Sequence, residues 1–224
     1  MEDWNAHARR EADRYQDGEA RLSQATDPDV RQRQLTRLGN AAYGAGLALL
    51  MEARRDEAAT WLARAAERYR ESFADAPPGS WGRPIGAIKA RLLAGDRDAA
   101  RDEARFALDA GAADSDSPIG RYAAALAYLV LGDDEQARLQ ADAIRTREDF
   151  PEAVGDALAY VAAGTDRIGY VEAVEAVLES FETRDDYLED VPVADTVLVL
   201  QALAAERELE AELSSPLLPR LDRA

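Results

Sequence analysis

Acidic side chains are the groups in this sequence whose number and spacing could support chemistry. The chain has 44 Asp and Glu residues, one histidine, His7, and no cysteine. Without cysteine there are no disulfides, thiolate metal sites or thiol nucleophiles, and one histidine cannot form a polyhistidine metal site. The chemistry left open is carboxylate chemistry, either calcium binding or general acid–base catalysis.

The segment Asp114-x-Asp116 has the spacing that opens a calcium-binding loop. Such a loop needs glycine at its sixth position and glutamate at its twelfth. Ile119 and Ala125 stand at those positions. We therefore interpret the segment as a polar loop that ends at Ser117, the cap of the next helix. We predict no metal ion and no cofactor.

Adjacent acids such as Asp133-Asp134 and Asp185-Asp186 also suggest catalysis. In so acidic a chain they predict solvated surface, and a hydrolase would need two carboxylates facing one cleft at a defined separation. His7 lies near a terminus and is interpreted as a surface or cap residue. We predict that the protein is not an enzyme. A hydrolase that uses a buried carboxylate remains the remote alternative.

The charge balance indicates the solvent in which the protein works. The net charge is −17, and 26 of the 27 basic residues are arginine, Lys89 being the one lysine. Molar salt shortens the Debye length to about 3 Å and screens the repulsion among such acids. We predict a cytoplasmic protein of a halophilic organism and attribute the charge to solvent rather than to a cationic partner. No basic face for nucleic acid, secretory signal or membrane-spanning apolar run is visible.

Apolar residues recur at helical spacing through most of the chain, which predicts an all-α fold. The clearest stripe runs from Ala58 to Phe73, and a second joins Ile168, Val171, Val174, Leu178 and Phe181. The β-branched run from Thr196 to Leu200 admits a strand, but its long apolar surroundings favour a buried helix. Gly39, Gly44 and Gly46 form no nucleotide-binding series and indicate close helix packing.

Proline and glycine recur with a period close to that of helical repeats. Pro84-Ile85-Gly86 and Pro118-Ile119-Gly120 lie 34 residues apart, and Pro151 follows 33 residues later. Each proline suits a first helical position, and Thr26-Asp27-Pro28 marks a further helix start. Small residues five apart mark the bends within hairpins: Gly95 and Ala100, Gly132 and Ala137, Gly164 and Gly169, and Ala53 and Ala58.

The sequence around two of these bends resembles the helix-turn-helix of tetratricopeptide repeats. It reads Ala-Gly-Asp-Arg-Asp-Ala-Ala at 94–100 and Leu-Gly-Asp-Asp-Glu-Gln-Ala at 131–137, although the usual first-helix tryptophan and tyrosine are missing. We predict a stack of antiparallel helical hairpins, a tetratricopeptide-like α-solenoid, in one domain over 1–224. Residues 1–27 form a capping helix, 28–80 the first hairpin and 81–224 the successive hairpins.

Four side chains are candidates for a protein-binding surface because they lie near helix starts, outside the repeated pattern: Trp81, Arg83, Lys89 and Arg121. Tryptophan and arginine are enriched in interface hot spots. The alternative is that the three basic residues are exposed counter-charges on an acidic protein. Tyr128 and Tyr160 occupy equivalent repeat positions, which favours a packing role for both.

The order of features from Ser72 onward resembles the immunity protein 49 family of bacterial polymorphic toxin systems. The similar segments are Trp81-Gly82-Arg83-Pro84 to Gly95-Asp96, Phe150-Pro151-Glu152, Tyr170 to Phe181, Tyr187, and the tail Leu209 to Pro219. Leu217 stands where the family's closing segment has an aromatic residue.

This resemblance implies an all-helical, non-enzymatic protein whose partner is a toxin that it binds and neutralises. It supplies no catalytic or binding residues. A tetratricopeptide-like scaffold that joins cellular proteins is the alternative function. The oligomeric state is not predicted.

Overall fold

The computed structural model describes residues 2–220 and has no β-strand among them. The all-α prediction is therefore confirmed for these residues. The α-helices are α1 (Trp4–Leu22), α2 (Pro28–Met51), α3 (Arg55–Phe73), α4 (Gly82–Leu93), α5 (Arg97–Asp109), α6 (Pro118–Leu131), α7 (Asp134–Arg145), α8 (Glu152–Ala163), α9 (Arg167–Glu182) and α10 (Asp195–Ala205). Short 3-10 turns occupy Ala112–Asp114 and Leu188–Asp190. None of the helices within 2–220 has the length and hydropathy needed to cross a bilayer.

Helices start within two residues of each predicted proline, and at the proline itself for Pro28 and Pro118. Pro28 and Pro118 occupy the first turns of α2 and α6, whose caps Asp27 and Ser117 accept hydrogen bonds from the backbone N–H three residues on, at 2.9 and 3.1 Å. Pro151 directly precedes α8. Pro84 lies in the first turn of α4, where its missing N–H removes no helical hydrogen bond.

The predicted bends end helices in the left-handed conformation. Gly132 closes α6 with φ 80°, and Gly164 closes α8 with φ 67°. The ring of Tyr160 lies 2.4 Å from the position that a Cβ on Gly169 would take, so α8 and α9 approach closely there. The packing role predicted for Tyr160 is confirmed.

The chain divides into two compact units. Over the described residues, the first comprises 2–95, 184–193 and 214–220, and the second comprises 96–183 and 194–213. In the first unit α1 packs on α2, α2 on α3 and α3 on α4. In the second, α5 to α9 pack each on the next, and α10 lies against α8 and α9. This order of neighbours is that of stacked helical hairpins. The assignment of 1–224 to a single domain stays a prediction.

The α3 stripe forms much of the core of the first unit. Its buried members are Ala58, Leu62, Ala65, Ala66 and Tyr69, while Trp61 and Phe73 are half-buried. The Tyr69 ring lies between Gly39 of α2 and Gly86 of α4, and a Cβ on either glycine would stand 2.7 Å from a ring atom. Close helix packing at Gly39 is therefore confirmed.

The predicted α9 stripe is wrong at one end. Ile168 is 75% exposed, because it lies on the solvent side of the first turn of α9, whose other side, with Gly169 and Tyr170, is buried. The buried face of α9 instead includes Tyr170, Val174 and Val177. The run from Thr196 to Leu200 lies within the helix α10, as favoured over a strand.

Candidate functional site

Three of the four predicted binding residues belong to the first unit and are engaged within it. Trp81 and Lys89 are 9% and 8% exposed, and the Trp81 ring lies 5.8 Å from that of Phe73. Their burial means that they offer little surface to a partner, and they are not the exposed groups that the sequence suggests.

Arg83 is half-buried and holds α4 against α2. Its guanidinium donates to Thr36 Oγ1 at 3.0 Å and to Gln32 Oε1. Burial lowers the pKa of Arg83 below its ordinary value. Arg121 belongs to the second unit, where it donates to Gln140 Oε1 at 3.4 Å. A binding role for Arg83 and Arg121 stays a prediction.

The first unit contains an open pocket of about 600 Å³ that the sequence does not reveal. Four stretches of chain meet around it: the start of α1, the end of α2, the segment before α10 and the carboxyl-terminal tail. Its lining residues are Glu2, Trp4, Met51, Glu52, Ala53, Pro192, Ser215, Pro216, Leu217, Leu218 and Arg220. We call it the terminal pocket.

Capping of α1 and the ending of α2 set the first two walls. The Asp3 carboxylate accepts from the Ala6 N–H at 2.9 Å, which fixes the helix start that carries Trp4. After Met51 the chain reverses at Ala53, which has φ 58°. This is the left-handed conformation that usually requires glycine, and it costs a residue with a Cβ about 1–2 kcal/mol. The reversal leaves Met51 and Glu52 at the pocket.

A polar network ties these two walls together. The Asn5 amide donates to Glu52 Oε2 at 3.0 Å and accepts from Arg54 Nη1 at 2.9 Å. Arg54 also pairs with Glu57 at 2.6 Å and lowers the pKa of that carboxyl below its ordinary value. The network links the start of α1, the end of α2 and the start of α3, so this part of the pocket is preorganised.

The tail forms the opposite wall through a turn at Ser215. The Leu217 N–H donates to Ser215 Oγ and the Leu218 N–H donates to the Ser215 carbonyl, each at 3.2 Å. Leu218 is 8% exposed, whereas Leu217 is half-buried. Leu218 therefore anchors the tail, and Leu217 presents an apolar side chain to the pocket.

Residues 184–193, which we call the strap, bring Pro192 to the pocket. Val191 and Val193 on either side of it are each 2% exposed. Arg10 donates to the Glu189 carbonyl, and Arg14 pairs with the Glu189 carboxylate. The strap is thus held to α1 by two guanidinium groups.

The same two arginines hold a buried carboxylate. Glu11 is 0% exposed and lies 2.7 Å from Arg10 Nε and 3.1 Å from Arg14 Nη1. A Cβ on Gly44 of α2 would stand 3.1 Å from Glu11 Cγ, so this glycine makes room for the acid. Glu11, like the 5% exposed Glu103 of the second unit, is a buried acid of the kind that the hydrolase alternative would require, and Glu11 forms an ion pair with Arg10 and Arg14.

His7 lies behind the pocket wall. Its ring centroid is 5.6 Å from that of Trp4, and its side chain is 14% exposed, because the helix start covers it. Its Nε2 lies 3.7 Å from the Glu2 carboxylate. Within residues 2–220 no group of three or more His, Asp and Glu side chains is arranged to hold a metal ion.

The second unit has a smaller cleft of about 330 Å³ with a different character. Its lining residues are Arg167, Glu208, Glu210, Ala211 and Glu212, and Arg167 donates to the Glu210 carbonyl at 3.0 Å. Four of these five residues are charged, so the cleft offers little apolar wall. The terminal pocket, with an aromatic residue and several aliphatic ones, is the better candidate for binding.

Comparison of the chain with protein-family models, with curated proteins and with solved structures finds no match. The arguments for function therefore depend on the site itself. Sequence reasoning missed the terminal pocket because its walls are up to about 200 positions apart in the chain. A signal that could have indicated it is the apolar run Pro216-Leu217-Leu218, which is not part of a helical apolar stripe.

Proposed function

We propose that this protein is a non-catalytic binding protein of helical hairpins that neutralises a toxin by occluding it, in the cytoplasm of a halophilic organism. The observation that carries the proposal is the terminal pocket, an apolar concavity whose walls are fixed by hydrogen bonds before any partner arrives. Preorganised apolar pockets with an aromatic wall are typical of binding hot spots.

The tail connects the pocket with the proposed role. The segment Leu209 to Pro219 is one of those by which the chain resembles immunity protein 49, and its residues Ser215 to Leu218 line the pocket. A segment that carries the resemblance thus also supplies a wall of the candidate site. This coincidence favours the immunity role over a general scaffold.

The buried acid supports a mechanism without turnover. Glu11 is enclosed and held by Arg10 and Arg14, so a substrate has no direct path to its oxygen atoms. Glu11 binds the same two arginines that hold the strap, so its contacts indicate a structural role. Occlusion needs only a stable surface, and it requires neither a general base nor a cofactor.

The test is recovery of a partner from a lysate kept at high salt, followed by a toxicity assay. Tagged wild-type protein should recover one protein encoded beside its gene, and mixing should abolish that protein's toxicity. Leu217→Ser removes an apolar wall and should weaken both effects at least tenfold. Leu139→Ser is the matched control, because Leu139 is an exposed leucine of α7 at 56% and does not line the pocket.

Two outcomes would contradict the proposal. Recovery of many unrelated proteins would favour the scaffold function. Recovery of a neighbour-encoded protein whose toxicity persists after mixing would exclude neutralisation. In either case the helical fold would be unaffected.

A further inference from the structure

We propose that the terminal pocket takes an apolar side chain of a partner segment that carries arginine or lysine directly beside that side chain. This inference rests on the proposed function and names the chemistry of the segment that the pocket binds. It follows from the walls of the pocket, from its rim and from the charge of the whole chain.

The walls select an apolar group. Trp4, Met51, Pro192 and Leu217 present hydrocarbon or aromatic surface, and the volume of about 600 Å³ falls in the range of ligand-binding clefts. A polar side chain placed among these walls would lose its hydrogen bonds to water without gaining others. An aliphatic or aromatic side chain has no hydrogen bonds to water to lose, and its burial removes apolar surface from water.

The rim selects a basic neighbour. Glu2 and Glu52 bring two carboxylates to the pocket, against the single guanidinium of Arg220. The exposed residue Asp3 adjoins Glu2, and the exposed residue Asp190 lies two positions before Pro192. A cation beside the apolar group would therefore meet mainly negative charge, whereas an acidic segment would be repelled.

At the moderate salt of the titration described below, the charge of the whole chain argues against a second copy as the occupant. Each copy carries a net charge of −17, so two copies repel at all but high salt. A basic partner segment is attracted by the same field, and this attraction speeds its approach as well as favouring its binding.

The experiment uses Trp4 as its reporter. The double substitution Trp61→Phe/Trp81→Phe leaves Trp4 as the one tryptophan, and it lines the pocket. This protein is titrated at about 0.2 M KCl, where the Debye length is still about 7–8 Å, with three blocked peptides. Their sequences are Gly-Arg-Leu-Leu-Arg-Gly, Gly-Glu-Leu-Leu-Glu-Gly and Gly-Arg-Ser-Ser-Arg-Gly. Circular dichroism checks that each variant remains helical.

The arginine-leucine peptide should bind at least tenfold more tightly than either of the others. Leu217→Ser should weaken its binding at least tenfold. Glu2→Gln/Glu52→Gln should also weaken it and should reduce the preference over the glutamate peptide. Asp13→Asn/Asp75→Asn changes the net charge equally at two exposed acids outside the pocket, and it should preserve most of the affinity.

Several results would overturn the inference. These are equal binding of the arginine and glutamate peptides, equal binding of the serine peptide, or no binding of any peptide. If only a chain shortened to end at Arg220 binds, the occupant is residues 221–224 of this protein and not a partner. If sedimentation shows a dimer that Leu217→Ser dissociates, the occupant is a second copy.

Failure of this inference and failure of the proposed function give different results. If the peptides discriminate as expected but no toxin is recovered, the pocket chemistry stands and the immunity role is wrong. If a toxin is neutralised but the peptides do not discriminate, the function stands and the assigned occupant is wrong.

Discussion

The contact of Tyr69 with two glycines allows a quantitative test of the packing in the first unit. The ring lies between Gly39 of α2 and Gly86 of α4, and its hydroxyl donates to Asn40 Oδ1 at 3.0 Å. The perturbation is Gly39→Ala, which adds a single methyl group on a buried helix face. In an open helix this change would stabilise the protein by about 1 kcal/mol, because alanine is the better helix former.

The geometry cancels or reverses that gain. The added Cβ would lie 2.7 Å from the Tyr69 ring, whereas ordinary contact begins at 3.4 Å, so the ring or the helix must move by about 0.7 Å. The ring has little room to move toward α4, because Gly86 packs against it there so closely that a Cβ on Gly86 would also stand 2.7 Å from a ring atom. Overpacking of this kind costs about 1–3 kcal/mol. After subtracting the gain of about 1 kcal/mol in helix propensity, we expect a net loss of about 0–2 kcal/mol.

The assay is urea unfolding in high salt, with tryptophan fluorescence as the signal. All three tryptophans, Trp4, Trp61 and Trp81, belong to the first unit, so the signal reports the unit in which the substitution lies. Gly82→Ala is the matched control. Gly82 also lies in a helix, but a Cβ there would meet no atom within 4 Å. Without a clash, Gly82→Ala should be neutral or stabilising by up to about 1 kcal/mol, the gain in helix propensity.

A double-mutant cycle with Tyr69→Ala isolates the contact. Removal of the ring should itself cost about 3–5 kcal/mol. In that background Gly39→Ala should become stabilising by about 1 kcal/mol, because the helix propensity remains and the clash is gone. If Gly39→Ala has the same sign and size in both backgrounds, the ring is not what excludes a Cβ at this position.

Three further predictions concern charge. The melting temperature should rise as KCl increases from dilute to molar, and a flat or falling curve would contradict haloadaptation. Glu11→Gln should lower the free energy of unfolding by about 1–3 kcal/mol in the same urea assay, because the substitution weakens charge-assisted hydrogen bonds at a buried site. If Glu11→Gln has as small an effect as the exposed substitution Asp13→Asn, the ion pair of Glu11 with Arg10 and Arg14 is not structural. The hydrogen bond from Arg147 lowers the pKa of Asp149 below its ordinary 3.8. This pair therefore stabilises the folded state above about pH 4, and the stabilisation is lost as the pH falls through the folded-state pKa. Arg147→Gln should raise the pKa of Asp149 toward 3.8 in an NMR titration, and an unchanged pKa would exclude Arg147 as the cause.

Much of the helical architecture could be predicted because its signals are local. Ser117 and Pro118 specify a helix start within three residues, and Gly132 specifies an end through its own backbone conformation. The error at Ile168 has the same origin, because periodicity groups Ile168 with the apolar face, whereas neighbouring helices cover Gly169 and Tyr170 in the same turn and leave Ile168 exposed. The burial of an end residue depends on neighbours that the local pattern does not contain.

The candidate site could not be predicted, because burial and partners at a distance decide it. Arg83 resembles an exposed hot-spot residue by type, yet its partners Thr36 and Gln32 lie 47 and 51 positions away. Trp81 resembles one as well, and its place against Phe73 follows from the return of α4 onto α3. The lining of the terminal pocket likewise depends on how both chain ends pack.

The strap gives an independent reason to regard the terminal pocket as more than a gap between chain ends. Glu189 and Asp190 both have left-handed backbone, with φ of 54° and 53°, although neither is glycine. Such conformations cost about 1–2 kcal/mol each and persist only where surrounding contacts impose them. Here those contacts are the two guanidinium groups of α1 and the burial of Val191 and Val193. Glycine at position 189 or 190 would adopt this backbone without strain. A turn without left-handed residues would direct the chain differently and would not bring Pro192 to the pocket. The strained backbone and its contacts together place Pro192 at the terminal pocket, so the local cost is linked to the concavity on which the proposed binding depends.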